Sequence, residues 1–195
     1  MKQPKLVLAS TSRYRRDLMD RLGLDYESVP HLVDEDEFKV EGQDPESLAR
    51  TLSIAKAASL RQRFPDAFIL GSDQVAVLAG QILSKPGTVD KAEAQLQRLR
   101  GQTHTLLTGL ALDCPGGDSW ADVDRIDLRM RPLTDAEISR YIAADQPLDC
   151  CGSYRIESRG ITLFEAIDGS DFTAIIGLGL IRVTTLLRRA GFLLP

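Results

Sequence analysis

The stretch "LVLASTSRYRRDLMDRLG", residues 6–23, sets the reading of the whole chain. It begins as a short, leucine-rich apolar run that closes in small residues, the pattern of a buried strand. Small hydroxyl residues follow, Ser10 and Ser12 among them, and then three arginines in four positions, Arg13, Arg15 and Arg16. Leu18, Met19 and Leu22 recur at helical spacing and Gly23 supplies a stop, so residues 13–22 read as a helix. The arginines stand in the first helical turn, where positive charge opposes the helix dipole. An anion held by the free N–H groups of that turn and a guanidinium would remove the conflict. Solvated surface arginines are the plain alternative.

Outward from this stretch, strands and helices alternate. "DYESVP" reads as a second strand and "DEDEFKVEGQ", residues 34–43, as a polar loop. "DPESLARTLSIAKAASLRQRF", residues 44–64, is a helix with Asp44 as N-cap, Pro45 at N1 and a stripe of Leu48, Leu52, Ala55 and Ser59. "AFILGSDQVAVLAGQIL" reads as a buried strand, a polar interruption and a second strand that turns at Ala79–Gly80. "DKAEAQLQRLRG" carries a D-x-x-E start and ends at Gly101, which marks a helix. Residues 103–113 and 119–130 form two long strands around the turn "CPGGDS". "TDAEISRYIAA" opens with the capping box Thr134…Glu137. "GITLFEAIDG" suggests a strand and "LIRVTTLLRRAG" the closing helix. The interleaving predicts an α/β fold, a mixed sheet with flanking helices, and one cooperative domain over residues 1–195.

Composition narrows the function. The chain has 195 residues, 43% hydrophobic and 27% charged, with a net charge of −4 and no block of one sign, which argues against a nucleic-acid coat. The three cysteines, Cys114, Cys150 and Cys151, include an adjacent pair and make an odd count, so they read as small buried residues in a reducing, cytoplasmic setting. No CxxC or Cys/His metal spacing is present. The N-terminal apolar run is too short for a signal peptide, and "AIIGLGLI" is too short to span a bilayer. His31 and His104 stand alone and receive no role, as surface or strand residues.

Several polar groups interrupt apolar surroundings. Asp73 and Gln74 break the run "ILGSDQVAVL", and a carboxylate at the end of a buried strand is costly unless it is paired or on a metal. Lys85 precedes a proline in "SKPG", and Lys56 sits mid-helix among small residues in "SIAKAASL". Each also has a plain reading, a turn residue for Asp73 and an exposed lysine for Lys56. "LVDEDE" is either a solvated acidic loop or a source of carboxylates for a divalent cation. Several cations, two isolated carboxylates and hydroxyls near a helix start are equipment for handling a polyphosphate with a metal ion. There is no Walker A sequence and no GxGxxG.

The fragments "LASTSRYRR", "VDE", "AKA", "GSDQV", "KP", "TGLAL" and "GSYRIESRGITLFEAIDG" occur in this order. Together they resemble the Maf family of nucleoside triphosphate pyrophosphatases from about residue 5 to residue 190. "GSDQV" looks like the branch that hydrolyses 7-methyl-GTP, as opposed to the one favouring dTTP and UTP. The resemblance implies a Maf/Ham1-like fold with two lobes around a central nucleotide cleft, often a homodimer. It implies cleavage between the α and β phosphates with a divalent cation, Mg²⁺ or Mn²⁺. Asp73 matches the catalytic carboxylate. Ser10 and Arg15 match the phosphate-binding motif, with Lys56 and Lys85 as further phosphate contacts. Glu35, with Asp73, matches a metal position, and Tyr14, Gln74 and Glu157 match positions linked to base choice. A pyrophosphatase for dTTP, UTP or other modified nucleotides, and a nucleotide-binding regulator of septum formation with little turnover, are the competing readings. The chain departs from the family pattern at Arg13 and at Gly179 of "GLG", both usually proline, and in "SDFTAIIG". Glycine at 179 is expected to loosen the chain there.

Overall fold

Residues 6–8 form the first strand, β1 (Leu6–Leu8), and the first helix follows as α1 (Arg13–Asp20) in a computed structural model that describes residues 4–38, 40 and 42–194. Residues 1–3 and, within the expected polar loop, Lys39 and Glu41 lie outside the described residues. The remaining strands are β2 (Glu27–Ser28), β3 (Phe68–Leu78), β4 (Gln81–Leu83), β5 (Thr103–Asp113), β6 (Ser119–Met130) and β7 (Phe164–Asp168). The helices are α2 (Pro45–Ala58), α3 (Val89–Leu99), α4 (Asp135–Asp145), α5 (Phe172–Ile176) and α6 (Leu180–Arg189). The sheet is mixed, in the order β2-β1-β3-β5-β6-β7 with β4 paired to β3. Two compact units divide the chain. One contains the residues up to Gln74, Thr108–Asp124 and those from Asp171 onward; the other contains Val75–Leu107 and Arg125–Ser170.

In the first unit β1 pairs in parallel with both β2 and β3. Alternation along the strands sorts its core into two layers. Leu6, Leu8, Leu70, Leu110 and Leu112 join Leu18, Met19, Val183 and Leu187 on one face. Val7, Ala9, Ile69 and Ala111 join Ala57 and Leu60 on the other. Helix α2 lies close on this second face because Gly71 and Gly109 carry no side chain. A Cβ at Gly71 would run into the backbone of Ser53 and Ala57, and one at Gly109 into the Ala49 carbonyl. α2 starts as expected, with Asp44 accepting from the Ser47 N–H at 2.8 Å.

In the second unit the β3–β4 hairpin turns at Ala79–Gly80, both at positive φ as such a turn requires, and the strands pair antiparallel. α3 packs on α4, and β6 pairs antiparallel with β7. The Thr134–Glu137 capping box forms as expected.

Several expectations are corrected. The helix expected over 44–64 stops at Ala58. Arg61 donates to the carbonyls of Phe64, Pro65 and Ala67 and draws the chain into a turn ahead of Pro65. "GSDQ" does not interrupt a strand; it is the middle of β3, so Asp73 is mid-strand. α3 is capped by Thr88, with Asp90 inside its first turn. Residues 35–38 form a 3₁₀ turn, a second one occupies Arg159–Leu163 ahead of β7, and α5 adds a short helix capped by Asp171. Cys114 is buried, but Cys150 and Cys151 are only half-buried in the segment after α4. Gly179 is there for room, not looseness: a side chain would run into the buried Asp124 carboxylate. Burial raises the Asp124 carboxyl above the usual carboxylate range, although Arg182 Nε donates to it at 2.9 Å.

Candidate active site

The strand alternation that sorts the core also builds the site. Gly71 and Asp73 share one face of β3, two residues apart, and Gly71 admits the α2 backbone. Asp73 therefore meets Lys56, the residue preceding Ala57 on α2. Lys56 is not an exposed lysine: it is 2% exposed, and Asp73 is 8% exposed. Lys56 Nζ donates to Asp73 Oδ1 at 2.6 Å and pairs with Glu35 Oε1, also at 2.6 Å. Glu35 opens the first 3₁₀ turn, where Asp34 Oδ1 accepts from the Asp36 N–H, and is half-exposed. One ammonium thus holds two carboxylates together.

The opposite face of β3 points to α5 and the turn after it. Ser72 Oγ donates to the Gly177 carbonyl at 3.0 Å. Arg15 Nε donates to the same carbonyl at 3.0 Å, and its NH1 lies 3.4 Å from Ser10 Oγ. Gly177 has φ +121, a conformation that glycine adopts freely, and this aims its carbonyl at both donors. Gln74 Nε2 donates to Thr108 Oγ1 and to the carbonyls of Ala174 and Ile175, so its NH₂ braces α5. Ser10 is buried at the end of β1, with its Oγ accepting from the Ser12 N–H. Ser12 is the N-cap of α1 but makes no side-chain cap, and the first turn holds no acidic residue. Arg13 is highly exposed and faces Asp17 one turn on, while Arg16 is exposed. Tyr14 is half-buried on α1.

The first unit therefore brings together Lys56, Asp73 and Glu35, and places Arg15 and Ser72 on the Gly177 carbonyl with Ser10 beside the Arg15 guanidinium. Lys85 and Glu157 belong to the second unit and are exposed there. Just after Glu157 the chain is clamped by the buried Asp145 carboxylate, which accepts from Ser158 Oγ and the Arg159 N–H, each at 3.1 Å. His31, given no role from the sequence, has its Nε2 3.6 Å from Glu35 Oε1. Its spacing of four from Glu35 was the available signal.

Among the described residues no three or more His, Cys, Asp or Glu side chains converge as a metal cage. Glu35 and Asp73 offer hard oxygen donors, two carboxylates paired to the same ammonium. That donor set fits Mg²⁺ or Mn²⁺, which bind through one or two carboxylates and complete their shell with water and substrate phosphates.

Solved structures with a similar fold include two Ham1 proteins. That of Staphylococcus aureus aligns with a TM-score of 0.52 at 11% identity, covering 94% of this chain and 99% of that one. A HAM1 protein from Coxiella burnetii aligns at 0.50 and 12% identity, covering 95% and 99%. The family model described as Maf-like protein matches residues 5–190, and the chain belongs to the Maf family. A relative from Xanthomonas campestris pv. campestris, named 7-methyl-GTP pyrophosphatase, is 48% identical over 98% of this chain and 99% of its own. Relatives of the same name from Chromohalobacter salexigens, 45% identical over 96% of both chains, and Aromatoleum aromaticum, 43% identical over the full length of both, agree with it.

Proposed function

We propose that the chain, acting as one domain over residues 1–195, hydrolyses a nucleoside triphosphate between its α and β phosphates, with 7-methyl-GTP as the preferred substrate. The observation that carries the reading is the buried Lys56 between Asp73 and Glu35, in a chain nearly half identical to a 7-methyl-GTP pyrophosphatase. Water attacks the α phosphorus, the bond from that phosphorus to the bridging oxygen breaks, and pyrophosphate leaves with the electron pair. Asp73 accepts the proton of the attacking water. Lys56, Arg15, Ser10 and Lys85 bind and orient the phosphates, because phosphoryl transfer rests on positioning and on neutralising charge. Glu35 and Asp73 would hold Mg²⁺ or Mn²⁺, which when bound neutralises charge on the phosphate oxygens.

Base choice follows from the chemistry of a 7-methylated guanine, whose ring carries a positive charge. Tyr14 offers it an aromatic face, worth roughly 0.5–2 kcal/mol for a stacked cation. Glu157 accepts from the guanine N1–H and exocyclic amine, whereas uracil and thymine present acceptors on either side of N3–H. Gln74 acts on this choice through α5, which its amide braces. A homodimer in the cytoplasm, with the nucleotide as ligand, completes the proposal. No helix among the described residues is long and apolar enough to cross a membrane.

The test is pyrophosphate release from a nucleotide panel with Mg²⁺ or Mn²⁺. The highest kcat/KM is expected for 7-methyl-GTP. A preference for UTP or dTTP would replace the substrate, and nucleotide binding without turnover would replace catalysis by the regulator reading.

A further inference from the structure

Three of the four residues in "GSDQ" have a part in the site: Gly71 admits α2, Asp73 pairs with Lys56 and Gln74 braces α5. Ser72 is the fourth. It is fully buried on β3, which lies between β1 and β5 in the sheet, and a hydroxyl there needs a partner. Its Oγ donates to the Gly177 carbonyl at 3.0 Å. The same carbonyl accepts from Arg15 Nε, also at 3.0 Å. A carbonyl oxygen has two lone pairs, so one backbone atom joins the two donors.

We propose that Ser72 is a positioning residue for Arg15: its buried hydroxyl, acting through the Gly177 carbonyl, sets the aim of the guanidinium on the triphosphate. The proposal rests on the reading of Arg15 as a phosphate contact. The arrangement has a direction. Ser72 is held in place by the pairing of β3 with its neighbours. Gly177 follows the five-residue helix α5 at φ +121, and glycine leaves its carbonyl other directions to take. The Ser72 hydroxyl fixes that direction. Arg15 is a long, half-buried side chain, and ordering its rotatable bonds when a ligand binds costs entropy. Holding Nε on a fixed carbonyl, with Nη1 3.4 Å from the buried Ser10 Oγ, removes much of that cost before a phosphate arrives. Ser72 and Asp73 are consecutive and face opposite sides of the strand. The two adjacent residues therefore place the proton acceptor on one side of β3 and the anchor of the phosphate contact on the other.

In ¹H–¹⁵N spectra of the protein alone, the Arg15 Nε–H is the arginine signal lost in Arg15→Lys. It should exchange slowly with water in wild type and about fivefold faster in Ser72→Ala. In turnover assays with 7-methyl-GTP at saturating Mg²⁺, Ser72→Ala should raise KM about fivefold and leave kcat within about twofold. In an Arg15→Lys background, where Nε is gone, Ser72→Ala should change KM no further. A KM rise of the same factor in both backgrounds overturns the proposal, because Ser72 then acts on the fold and not through Arg15. So does an unchanged KM in Ser72→Ala. So does a wild-type Arg15 Nε–H that exchanges as fast as that of an exposed arginine, a result that does not depend on the Ser72 variant folding. Wild-type turnover is measured in parallel: an Arg15 Nε–H protected through Ser72, in a protein that cleaves no triphosphate, would leave the clamp on Arg15 standing and sink the pyrophosphatase reading.

Discussion

Lys56 and His104 are both almost fully buried, one in each unit, and their surroundings differ in kind. Lys56 sits in an ionic cluster with Asp73 and Glu35. His104 sits in a neutral, aromatic one: its Nε2 pairs with the Tyr154 hydroxyl at 2.8 Å, and the Tyr154 ring meets Phe164 edge-on. Burial pushes His104 down to about 4 and Tyr154 well above its ordinary value, so both stay neutral through the working range of pH. A buried ionic cluster is an inefficient way to stabilise a fold, because desolvation of the charges offsets much of their attraction. The His104 pocket shows that this chain can bury polar groups without charge. A buried ammonium shared by two carboxylates is a different solution, and such clusters gather at functional sites.

The largest effect that would sharpen this contrast is on turnover. Asp73→Asn keeps the shape of the side chain and removes its basicity. Its kcat should fall about 10³-fold, or about 4 kcal/mol, with nucleotide binding retained. Steady-state rates and equilibrium binding measured together check this, and turnover within a few-fold of wild type would remove Asp73 from the mechanism. Next is Lys56→Met, which leaves two carboxylates facing each other without their cation. Stability in urea at pH 7 should drop by about 3 kcal/mol. A neutral or stabilising result would show that the cluster is not held together by charge. The smallest effect falls on the neutral cluster. Between pH 6.5 and about 4 the unfolded chain takes up a proton at His104 that the folded chain refuses, so native stability declines as the pH falls through this window. The decline reaches up to about 3 kcal/mol at pH 4 and vanishes above pH 7. His104→Leu should lose that part of the slope in urea midpoints measured across pH, whereas an unchanged slope would mean that His104 is protonated in the fold.

Much of this architecture is legible in the residues, and the failures share a cause. β1, α1, β5, β6 and the capped start of α4 follow from periodicity and capping, which are local. "GSDQ" misleads because polarity there marks a site, not a break: Asp73 is buried mid-strand because Lys56, 17 residues earlier, meets it across the space left by Gly71. The early end of α2 goes with Arg61 turning onto the nearby carbonyls of Phe64 and Ala67, a side-chain contact that periodicity does not report, and Gly179 answers to the Asp124 carboxylate, a partner far away in the sequence. Asp73, Lys56 and Glu35 could be nominated as polar groups in unusual surroundings and through the family resemblance. Their joining through one ammonium, the bracing of α5 by Gln74 and the approach of His31 to Glu35 needed the fold.

The most direct test of the central claim, that the first unit's ionic cluster serves cleavage of a triphosphate at its α–β bond, is ³¹P NMR of wild-type protein incubated with 7-methyl-GTP and Mg²⁺. The account predicts 7-methyl-GMP and pyrophosphate appearing in equal amounts. Orthophosphate with the nucleoside diphosphate, or no product from any triphosphate tried, would contradict it.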